Sequence, residues 1–487
     1  MEQERLIALY RELCSTEPVK IEKLPGAGSN RQYFRLTAAD EGTLIGVVGT
    51  SAEENQAFFN LSLLFAARHL PVPKVYSHTD DFMAYLQEDL GSTSLFDFIR
   101  RGREQGGQYD DMEKLMLQQV ISELPQFQFE GGDSYVFTHC YPQQEMDRTS
   151  VMFDLNYFKY CYLKLRGIEF NEYRLQADFE QFADDLLVED ADTFLYRDFQ
   201  ARNVMLKDGR PFYIDYQGGR KGPIYYDVAS FLWQASAKYS DALRTELVDA
   251  YWDALQPYLQ NGLCPACYQS LSKEHFLQRL HEFVLFRLLQ VLGAYGYRGL
   301  WEKKQHFIDS IPPALENLRK ELERGTCDKY LYLKTVVSQL VSMSDSQSVE
   351  PAGIRVFSFS YKKGIPADTT GNGGGYVFDC RASNNPGRYA EYKHLTGLDQ
   401  PVIDFLEKDG EILQFLSHIY PIVDFHVQRW IDRGFTDLQI SFGCTGGQHR
   451  SVYCAQHVAQ HLCEKFGIPI HLCHREQGIK QLLSPAR

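Results

Sequence analysis

The run Tyr-Arg-Asp-Phe-Gln-Ala-Arg-Asn at residues 196–203 constrains this chain more than any other feature, because Asp215 follows it after two short apolar stretches. A turn at residues 208–209 joins those stretches, which read as the two strands of a hairpin. The pattern of loop, strand, turn and strand predicts that Asp198, Asn203 and Asp215 come together in the fold.

This triad has the chemistry of a phosphoryl-transfer site. An Asp accepts the proton of an attacking hydroxyl, while an Asn and a second Asp hold the magnesium that neutralises the phosphates. Asp198 is therefore predicted to be the base, and Asn203 and Asp215 are predicted to be Mg²⁺ ligands. The alternative is that these are ordinary turn residues in a chance D-x-x-x-x-N arrangement.

A glycine loop precedes the first strands of the chain and is predicted to cover the phosphates of ATP. It contains Gly26, Gly28 and Ser29, and the strands that follow are expected at 32–36 and 43–48. Backbone N–H groups of such a loop can approach phosphates without obstruction by side chains. An ordinary hairpin connection is the alternative.

A hinge is predicted at residues 87–92, between a strand and the next helix, where Glu88 and Leu90 would lie against adenine. Beyond it, residues 94–190 and 225–335 have the apolar spacing of helices. A small β-rich lobe, a hinge and a large helical lobe make an α+β kinase-like fold. We therefore expect a phosphotransferase domain over residues 1–340.

A polar stretch at 341–353 is predicted to be a linker, and residues 354–487 are predicted to form a smaller domain. Its strands are expected at 354–361, 376–381, 437–442 and 468–473, with helices at 401–433 and 451–466. Strands that alternate with helices indicate an α/β domain with a parallel sheet.

Charge and hydropathy limit the classes of partner. The net charge is −14, and residues 351–487 carry 14 Lys or Arg against 13 Asp or Glu, so the acidity lies in residues 1–350. An acidic surface is a poor one for nucleic acid. The polar start of the chain and the absence of an apolar run of membrane-spanning length predict a cytoplasmic protein without a membrane partner.

The second domain has its own candidate site, a loop that leaves a strand and opens a helix. Its residues are Cys444, Thr445, Gly446, Gly447, Gln448, His449, Arg450 and Ser451. Free N–H groups at a helix start bind phosphate, and Arg450 could add a bidentate contact. The alternatives are a structural glycine turn and a phosphatase with Cys444 as nucleophile, for which Asp379 or Glu476 would be the acid. His474 could complete the pocket.

The first domain resembles the aminoglycoside phosphotransferase-like small-molecule kinases, and in particular the branch that phosphorylates N-acetylmuramate and N-acetylglucosamine. The matching runs are residues 31–35, 87–91, 196–203, 214–217, 222–223, 226–230 and 287–293. The resemblance implies ATP and Mg²⁺ as cofactors, a sugar as substrate, and Asp227 and Arg197 as supports of the catalytic loop.

Two positions depart from the pattern of that family. Tyr196 replaces the usual His before the catalytic Arg-Asp pair, and the strand at 43–50 has no lysine for the α- and β-phosphates. Either Arg31 or Arg35 takes the place of this lysine, of which we place Arg35 among the ATP-binding residues, or the domain is a non-catalytic scaffold.

The second domain is similar, from residue 356 to 476, to the C-terminal domain of the RNase adaptor RapZ, which senses glucosamine-6-phosphate and presents a small RNA. The matching runs are 358–364, 378–381, 385–386, 396–399 and 443–452. The resemblance adds Asp379, Arg381 and Asn385 to the pocket and implies an amino-sugar phosphate ligand. It also implies self-association and RNA binding, although the basic tail that supports RNA binding is missing.

Together, the two domains predict an ATP-dependent sugar kinase joined to a sensor of a phosphorylated amino sugar. The rival interpretation is a kinase-fold scaffold with a ligand-sensing or RNA-binding adaptor.

Overall fold

The computed structural model describes residues 2–25, 31–262, 264–346, 353–368, 375–433, 435 and 437–484. The chain divides into two compact units, Met1–Ser346 and Gln347–Arg487. Within the described ranges, no helix has both the length and the apolar character that a bilayer crossing requires.

A small lobe built on an antiparallel sheet opens the first unit. Its elements are α1 (Glu2–Cys14), β1 (Lys20–Lys23), β2 (Gln32–Thr37), β3 (Thr43–Val48), α2 (Ala52–Ala67), β4 (Val75–His78) and β5 (Ala84–Glu88). The strand order is β1-β2-β3-β5-β4. Alternate residues of β2, Phe34 and Leu36, are buried against Leu6 and Tyr10 of α1, so the period-2 pattern fixes which face of the sheet α1 covers.

A large, mostly helical lobe follows the hinge. Its helices are α3 (Leu95–Phe98), α4 (Arg100–Glu104), α5 (Asp111–Glu130), α6 (Ser134–Phe137), α7 (Arg148–Phe158), α8 (Glu172–Leu186), α9 (Tyr225–Leu232), α10 (Asp241–Gln260), α11 (Lys273–Tyr295), α12 (Gln305–Ile308), α13 (Ile311–Arg324) and α14 (Leu331–Ser346). Short strands β6 (Phe194–Leu195), β7 (Val204–Lys207), β8 (Arg210–Tyr213) and β9 (Arg220–Lys221) pair as β6 with β9 and β7 with β8.

Local sequence explains where the helices of this lobe begin. The side chains of Ser94 and Asp110 each accept a backbone N–H three residues later, and an acidic residue there returns the bond in a capping box. Helix α11 is buried on most of its surface, including Leu285, Leu288 and Leu289. It is the central helix of the lobe, and it places Arg287 and Gln290 inside it.

The second unit is an α/β domain. Its elements are β10 (Gly353–Ser360), β11 (Tyr376–Asp379), α15 (Gln400–Glu407), α16 (Glu411–Asp432), β12 (Asp437–Cys444), α17 (Arg450–Phe466), β13 (Ile470–His474) and β14 (Ile479–Leu483). The strand order is β11-β12-β10-β13-β14; all neighbours are parallel except β13 and β14. The carboxyl ends of β10, β12 and β13 therefore share one edge, where ligands of open α/β sheets bind.

The predicted fold class is confirmed in both units, with local corrections. The expected linker is wrong at both ends, because residues 341–346 continue α14, where Val341 is buried against the helical core, and residue 353 already belongs to β10. The long helical region expected over 401–433 consists of two helices, since Gly410 adopts a φ of +75° between them. Strands β1, β6, β9 and β14 were not predicted.

Candidate functional site

The loop that carries Asp198 is held by a buried carboxylate. Asp227, in the first turn of α9, accepts the backbone N–H groups of Tyr196 at 2.7 Å and Arg197 at 2.8 Å. Burial raises the pKa of Asp227 to about 7, against the effect of those two hydrogen bonds. The bonds fix Arg197 at a φ of +75°, an uncommon value for a residue with a side chain. Asp227 and the Arg197 backbone thus lie where loop support was predicted.

The predicted triad converges around Asn203. Its side-chain amide donates to the backbone oxygen of Asp198 at 2.8 Å and lies 3.3 Å from Oδ2 of Asp215. The backbone N–H of Ile214 donates to the carbonyl of Asn203 at 2.9 Å, and the Tyr196 hydroxyl donates to the carbonyl of Ile214 at 2.6 Å. The two loops are therefore cross-linked beside the three predicted side chains.

The donor set suits a magnesium ion. Asp215 has a positive φ of 69°, and its pKa is raised by burial and by the neighbouring Asp198. A divalent cation would relieve this repulsion, and Mg²⁺ takes only one or two carboxylates and shares its remaining positions with phosphate and water. Among the described residues, no group of three His, Cys, Asp or Glu side chains could hold a metal. The oxygen ligands that fit Mg²⁺ are the Asp215 carboxylate and, of the Asn203 side chain, its Oδ1 atom.

Arg31 is the cation next to this pair. Its guanidinium lies 2.6 Å from Oε1 of Glu54 in α2 and 3.7 Å from Oδ1 of Asp215, and its side chain is buried. Gln217 donates to Asp215 at 2.7 Å and to Glu54 at 3.2 Å. Arg31 is therefore a buried cation held beside Asp215, whereas strand β3 carries no lysine.

Arg35 does not lie at the phosphate site, and its predicted role there is corrected. Its Nε and Nη2 bind both oxygens of Asp89 at 2.6 and 3.0 Å, and Nη2 also donates to the carbonyl of Gly91. Because its donors are engaged at the hinge, Arg35 braces the hinge instead of contacting phosphate.

The remaining predicted ATP contacts are only partly described. Gly26, Gly28 and Ser29 lie outside the described residues. Glu88 ends β5 with its side chain bound to Lys207 at 2.6 Å, and Leu90 is buried. The Glu88 side chain is therefore engaged within the protein.

Asp198 itself faces an open region of the lobe, with its side chain 45% exposed and Arg287 at 3.7 Å. Arg287 donates to the hydroxyl of Tyr226 and to Oε1 of Gln290, whose amide donates to Asp154 at 2.6 Å. Burial raises the pKa of Asp154. A network of polar side chains thus leads from the predicted base to Asp154 on α7.

The candidate loop of the second unit is folded around Cys444. The N–H of Gly447 donates to its sulfur at 3.2 Å, and the Ser451 hydroxyl lies 3.1 Å from it. Burial opposes ionisation, but these bonds and those from the N–H groups of Ser451 and Gln448 outweigh it, so the pKa of the thiol is lowered. Cys444 is only 3% exposed, whereas Thr445 and Gly446 face solvent.

Arg450 does not point into an open pocket, contrary to the expected phosphate contact. Its Nη1 donates to the carbonyls of Arg381 and Ser383 at 2.9 and 2.8 Å, and the side chain is buried. His449 is also buried, beside the carbonyl of Tyr392, and Gln448 donates to the carbonyl of Leu395. These three side chains hold neighbouring backbone to the loop.

The four residues predicted to line this pocket have different surroundings in the structure. Asp379 and Arg381 form an exposed ion pair at 2.7 Å, and Asn385 precedes a short turn close to His449. His474 is fully buried between Ser358 and Gln456, and burial lowers its pKa to about 4. It therefore cannot meet a ligand directly. A cavity of about 270 Å³ lies beside Asp379 instead; its other lining residues include Cys380, Ser383, Glu411 and His418.

Sequence reasoning missed several residues of the first site. Glu54, Gln217, Arg220 and Gln290 all lie in it, yet none belongs to a motif that identifies it. The only available signal was that Gln217 and Gln290 fall inside the runs that carry the family resemblance.

The fold and site define the first unit as a two-lobed phosphotransferase-type domain. Residues 135–259 match the family model described as the phosphotransferase enzyme family, of the aminoglycoside phosphotransferase (APH) type. Residues 352–478 match the model for the RapZ C-terminal domain. The chain therefore carries an APH phosphotransferase-family domain followed by a RapZ C-terminal domain, which confirms the resemblance of each domain at the level of the family.

Relatives and solved structures resemble the two parts separately. A nucleotide-binding protein of Glaesserella parasuis serovar 5 is 37% identical over 161 residues, which are 33% of this chain and 54% of the relative. One of Xanthomonas campestris pv. campestris is 38% identical over 120 residues, or 25% of this chain and 41% of the relative. The chain thus spans about half, or less, of the length of these relatives.

Among solved structures, APH(2″)-IIa in its gentamicin complex has a TM-score of 0.46 and 12% identity, covering 65% of this chain and 96% of that one. Choline kinase LicA from Streptococcus pneumoniae has a TM-score of 0.43 and 12% identity, covering 65% of this chain and 99% of that one.

Proposed function

We propose that the first unit transfers the γ-phosphoryl group of ATP to a hydroxyl of a sugar, of the amino-sugar type used in cell-wall recycling. The observation that carries this proposal is the convergence of Asp198, Asn203 and Asp215 across two hydrogen-bonded loops. The family match of residues 135–259 supports the reaction class. The sugar follows from the resemblance to the N-acetylmuramate and N-acetylglucosamine kinases alone.

In this mechanism the acceptor hydroxyl lies against Asp198, which orients it and takes its proton as the oxygen attacks the γ-phosphorus. The bond from that phosphorus to the bridging oxygen breaks, and ADP leaves with the electron pair. Arg31 would contact the phosphates from the small lobe, while Asn203 and Asp215 would hold Mg²⁺. The ion would supply charge neutralisation for the phosphate oxygens.

The test is acceptor-dependent ADP release by the full chain in a panel of amino sugars. Asp198→Asn should lower kcat for the best sugar by roughly 10²- to 10⁴-fold, the usual contribution of a general base, with unchanged affinity for Mg-ATP. Asp208→Asn is the matched control, because Asp208 is an exposed turn residue that Asn can replace at its positive φ of 51°. Equal turnover by the two variants would exclude Asp198 as the base.

The same panel of amino sugars distinguishes a kinase from a non-catalytic scaffold. A scaffold binds Mg-ATP without releasing ADP when any sugar is added, so ATP binding alone does not decide between the two functions. If a sugar causes ADP release and Asp198→Asn removes that release, the scaffold function is excluded.

For the second unit, we propose binding of a phosphorylated amino sugar at the exposed Thr445–Gly446 segment, where β12 ends and α17 begins. The start of a helix favours an anion, and the RapZ C-terminal domain match supports the ligand class. A Cys444 phosphatase is disfavoured, because the thiol is buried and Arg450 is bound to backbone carbonyls.

Gly446 offers a clean test of this site. A Cβ atom added there meets no atom within 4 Å, so substitution leaves the loop undisturbed. Gly446→Asp should weaken glucosamine-6-phosphate binding at least tenfold in calorimetry by charge repulsion, whereas Gly446→Asn should retain it. Equal binding by the two variants, or equal affinity for glucosamine without phosphate, would contradict the proposal.

A further inference from the structure

Arg220 is a buried arginine beside the catalytic loop that has only neutral partners. Arg220 lies in β9, which pairs with β6 directly before the catalytic loop, and it is only 3% exposed. Nε and Nη2 donate to the carbonyl of Gly218 at 3.3 and 3.2 Å, and Nη1 donates to Oε1 of Gln143 at 3.2 Å. It forms no ion pair with any residue that the structure describes.

The other buried arginines of this unit differ from Arg220. Among the described residues they are Arg31, Arg244, Arg279 and Arg287, and each has a carboxylate partner within 4 Å. Burying a charge without an opposite charge costs several kcal/mol, which is why buried ions are normally paired. The exception at Arg220 therefore calls for an anion.

A second arginine intensifies this excess of positive charge. Burial and repulsion from Arg197 together lower the pKa of Arg220 to about 10. The Arg197 side chain is half-buried, and its guanidinium has no hydrogen bond or ion pair within the described ranges. Asp154 lies close to both arginines, but one of its oxygens is bound to Gln290. It does not pair directly with either guanidinium.

The two arginines belong to the acceptor side of the site. Arg31 acts on Asp215, where ATP phosphates and magnesium are expected. Arg197 and Arg220 act instead on Asp154, which the hydrogen-bonded network of Gln290 and Arg287 connects to Asp198. An anion held by them would therefore lie near the base and apart from the phosphates of the nucleotide.

We propose that Arg220 and Arg197 bind an anionic group of the acceptor, a carboxylate or a phosphate, next to the hydroxyl that Asp198 activates. This inference rests on the proposed kinase function and specifies its substrate as a negatively charged sugar. Guanidinium groups suit both anions, since their planar donors match either geometry.

Three acceptor sugars that share the N-acetylglucosamine core test whether the chain prefers an anionic acceptor, and whether a carboxylate or a phosphate is recognised. N-acetylglucosamine is neutral, N-acetylmuramate adds a carboxylate, and N-acetylglucosamine 6-phosphate adds a phosphate. The wild-type chain should prefer one of the charged sugars, and Arg220→Met should lower kcat/KM for that sugar by roughly 10- to 100-fold, chiefly through KM, because a hydrogen-bonded charge pair is lost. The ratio of charged-sugar turnover to neutral-sugar turnover should therefore fall.

Arg279→Met is the matched control, since Arg279 is as buried as Arg220 but pairs with Glu189 and Glu282. It should leave the ratio of charged to neutral turnover unchanged. If the wild-type chain uses the neutral sugar equally well, or if Arg220→Met keeps the preference, the anion site is refuted while the kinase function stands.

Thermal unfolding tests the site without turnover, and so separates its failure from failure of the kinase function. In phosphate-free buffer, Arg220→Met should melt higher than wild type and Arg279→Met lower. Inorganic phosphate should raise Tm in a Gly446→Asp chain, where the loop of the second unit no longer competes, and Arg220→Met should abolish that rise. A lower Tm for Arg220→Met with an undiminished phosphate response would overturn the inference, whether or not any sugar is phosphorylated.

Discussion

The hydroxyl of Tyr196 joins the two halves of the candidate active site, and its removal should reduce activity more than stability explains. Tyr196 is buried, and its hydroxyl donates to the carbonyl of Ile214, the residue before Asp215, at 2.6 Å. In Tyr196→Phe the carbonyl of the half-buried Ile214 loses its side-chain partner, which should cost about 1–3 kcal/mol of the free energy of unfolding. Asp215 should then be held less firmly beside Asn203.

Tyr251→Phe provides the comparison that isolates this effect. The Tyr251 hydroxyl is also buried and donates to Oε1 of Gln128 at 2.6 Å, within the helical lobe. Both variants should lose a similar free energy of unfolding in urea denaturation. Only Tyr196→Phe should also weaken Mg-ATP binding and lower kcat, by roughly tenfold, which corresponds to about 1.4 kcal/mol.

The result that would refute this reasoning is equal behaviour of the two variants. If Tyr196→Phe retained wild-type Mg-ATP affinity and kcat while losing only stability, Tyr196 would be a packing residue. The replacement of the usual His would then carry no role in positioning the metal ligands.

Two further predictions concern charged side chains. Arg31→Met should weaken ATP binding at least tenfold in calorimetry, because a phosphate contact is lost, whereas Arg35→Met should lower stability at the hinge with a smaller effect on ATP. Equal ATP affinities would contradict the assignment of Arg31. His474 has a pKa of about 4 when folded and near 6.5 when unfolded. The unfolded chain therefore binds more protons, and stability should fall by up to about 1.4 kcal/mol per unit as pH drops from 6.5 to 4. His474→Gln should flatten this dependence in denaturation curves.

The parts of the site that lie within one short stretch of chain were predictable from sequence. Asp198, Asn203 and Asp215 are brought together by the β7–β8 hairpin. The residues at 208–209 predict its turn, so the spacing of the three residues implied that they lie close together. The predicted support from Asp227 likewise rested on a run that carries the family resemblance.

Contacts between distant elements were not predictable, because nothing local encodes them. Arg31 meets Glu54 only because the fold brings α2 to the residue before β2, and Arg287 meets Asp198 only because the fold brings α11 to the catalytic loop. Arg35 looked equivalent to Arg31 in sequence, yet the neighbouring hinge supplied Asp89 as its partner. The direction of the Arg450 side chain could not be predicted for the same reason, because its partners are carbonyls that lie far away in the sequence.

Backbone conformation gives a separate argument against a non-catalytic scaffold. Arg197 and Asp215 both have positive φ values, 75° and 69°, which cost of order 1–3 kcal/mol each for residues other than glycine. The fold retains them by directed bonds: Asp227 holds the Arg197 N–H, and Gln217 holds the Asp215 carboxylate. A protein that used this lobe only as a binding surface would have no need to maintain strain at Arg197, next to the proposed base, and at Asp215, a proposed metal ligand. We therefore interpret the missing strand lysine as a replacement by Arg31, and not as a sign of lost activity.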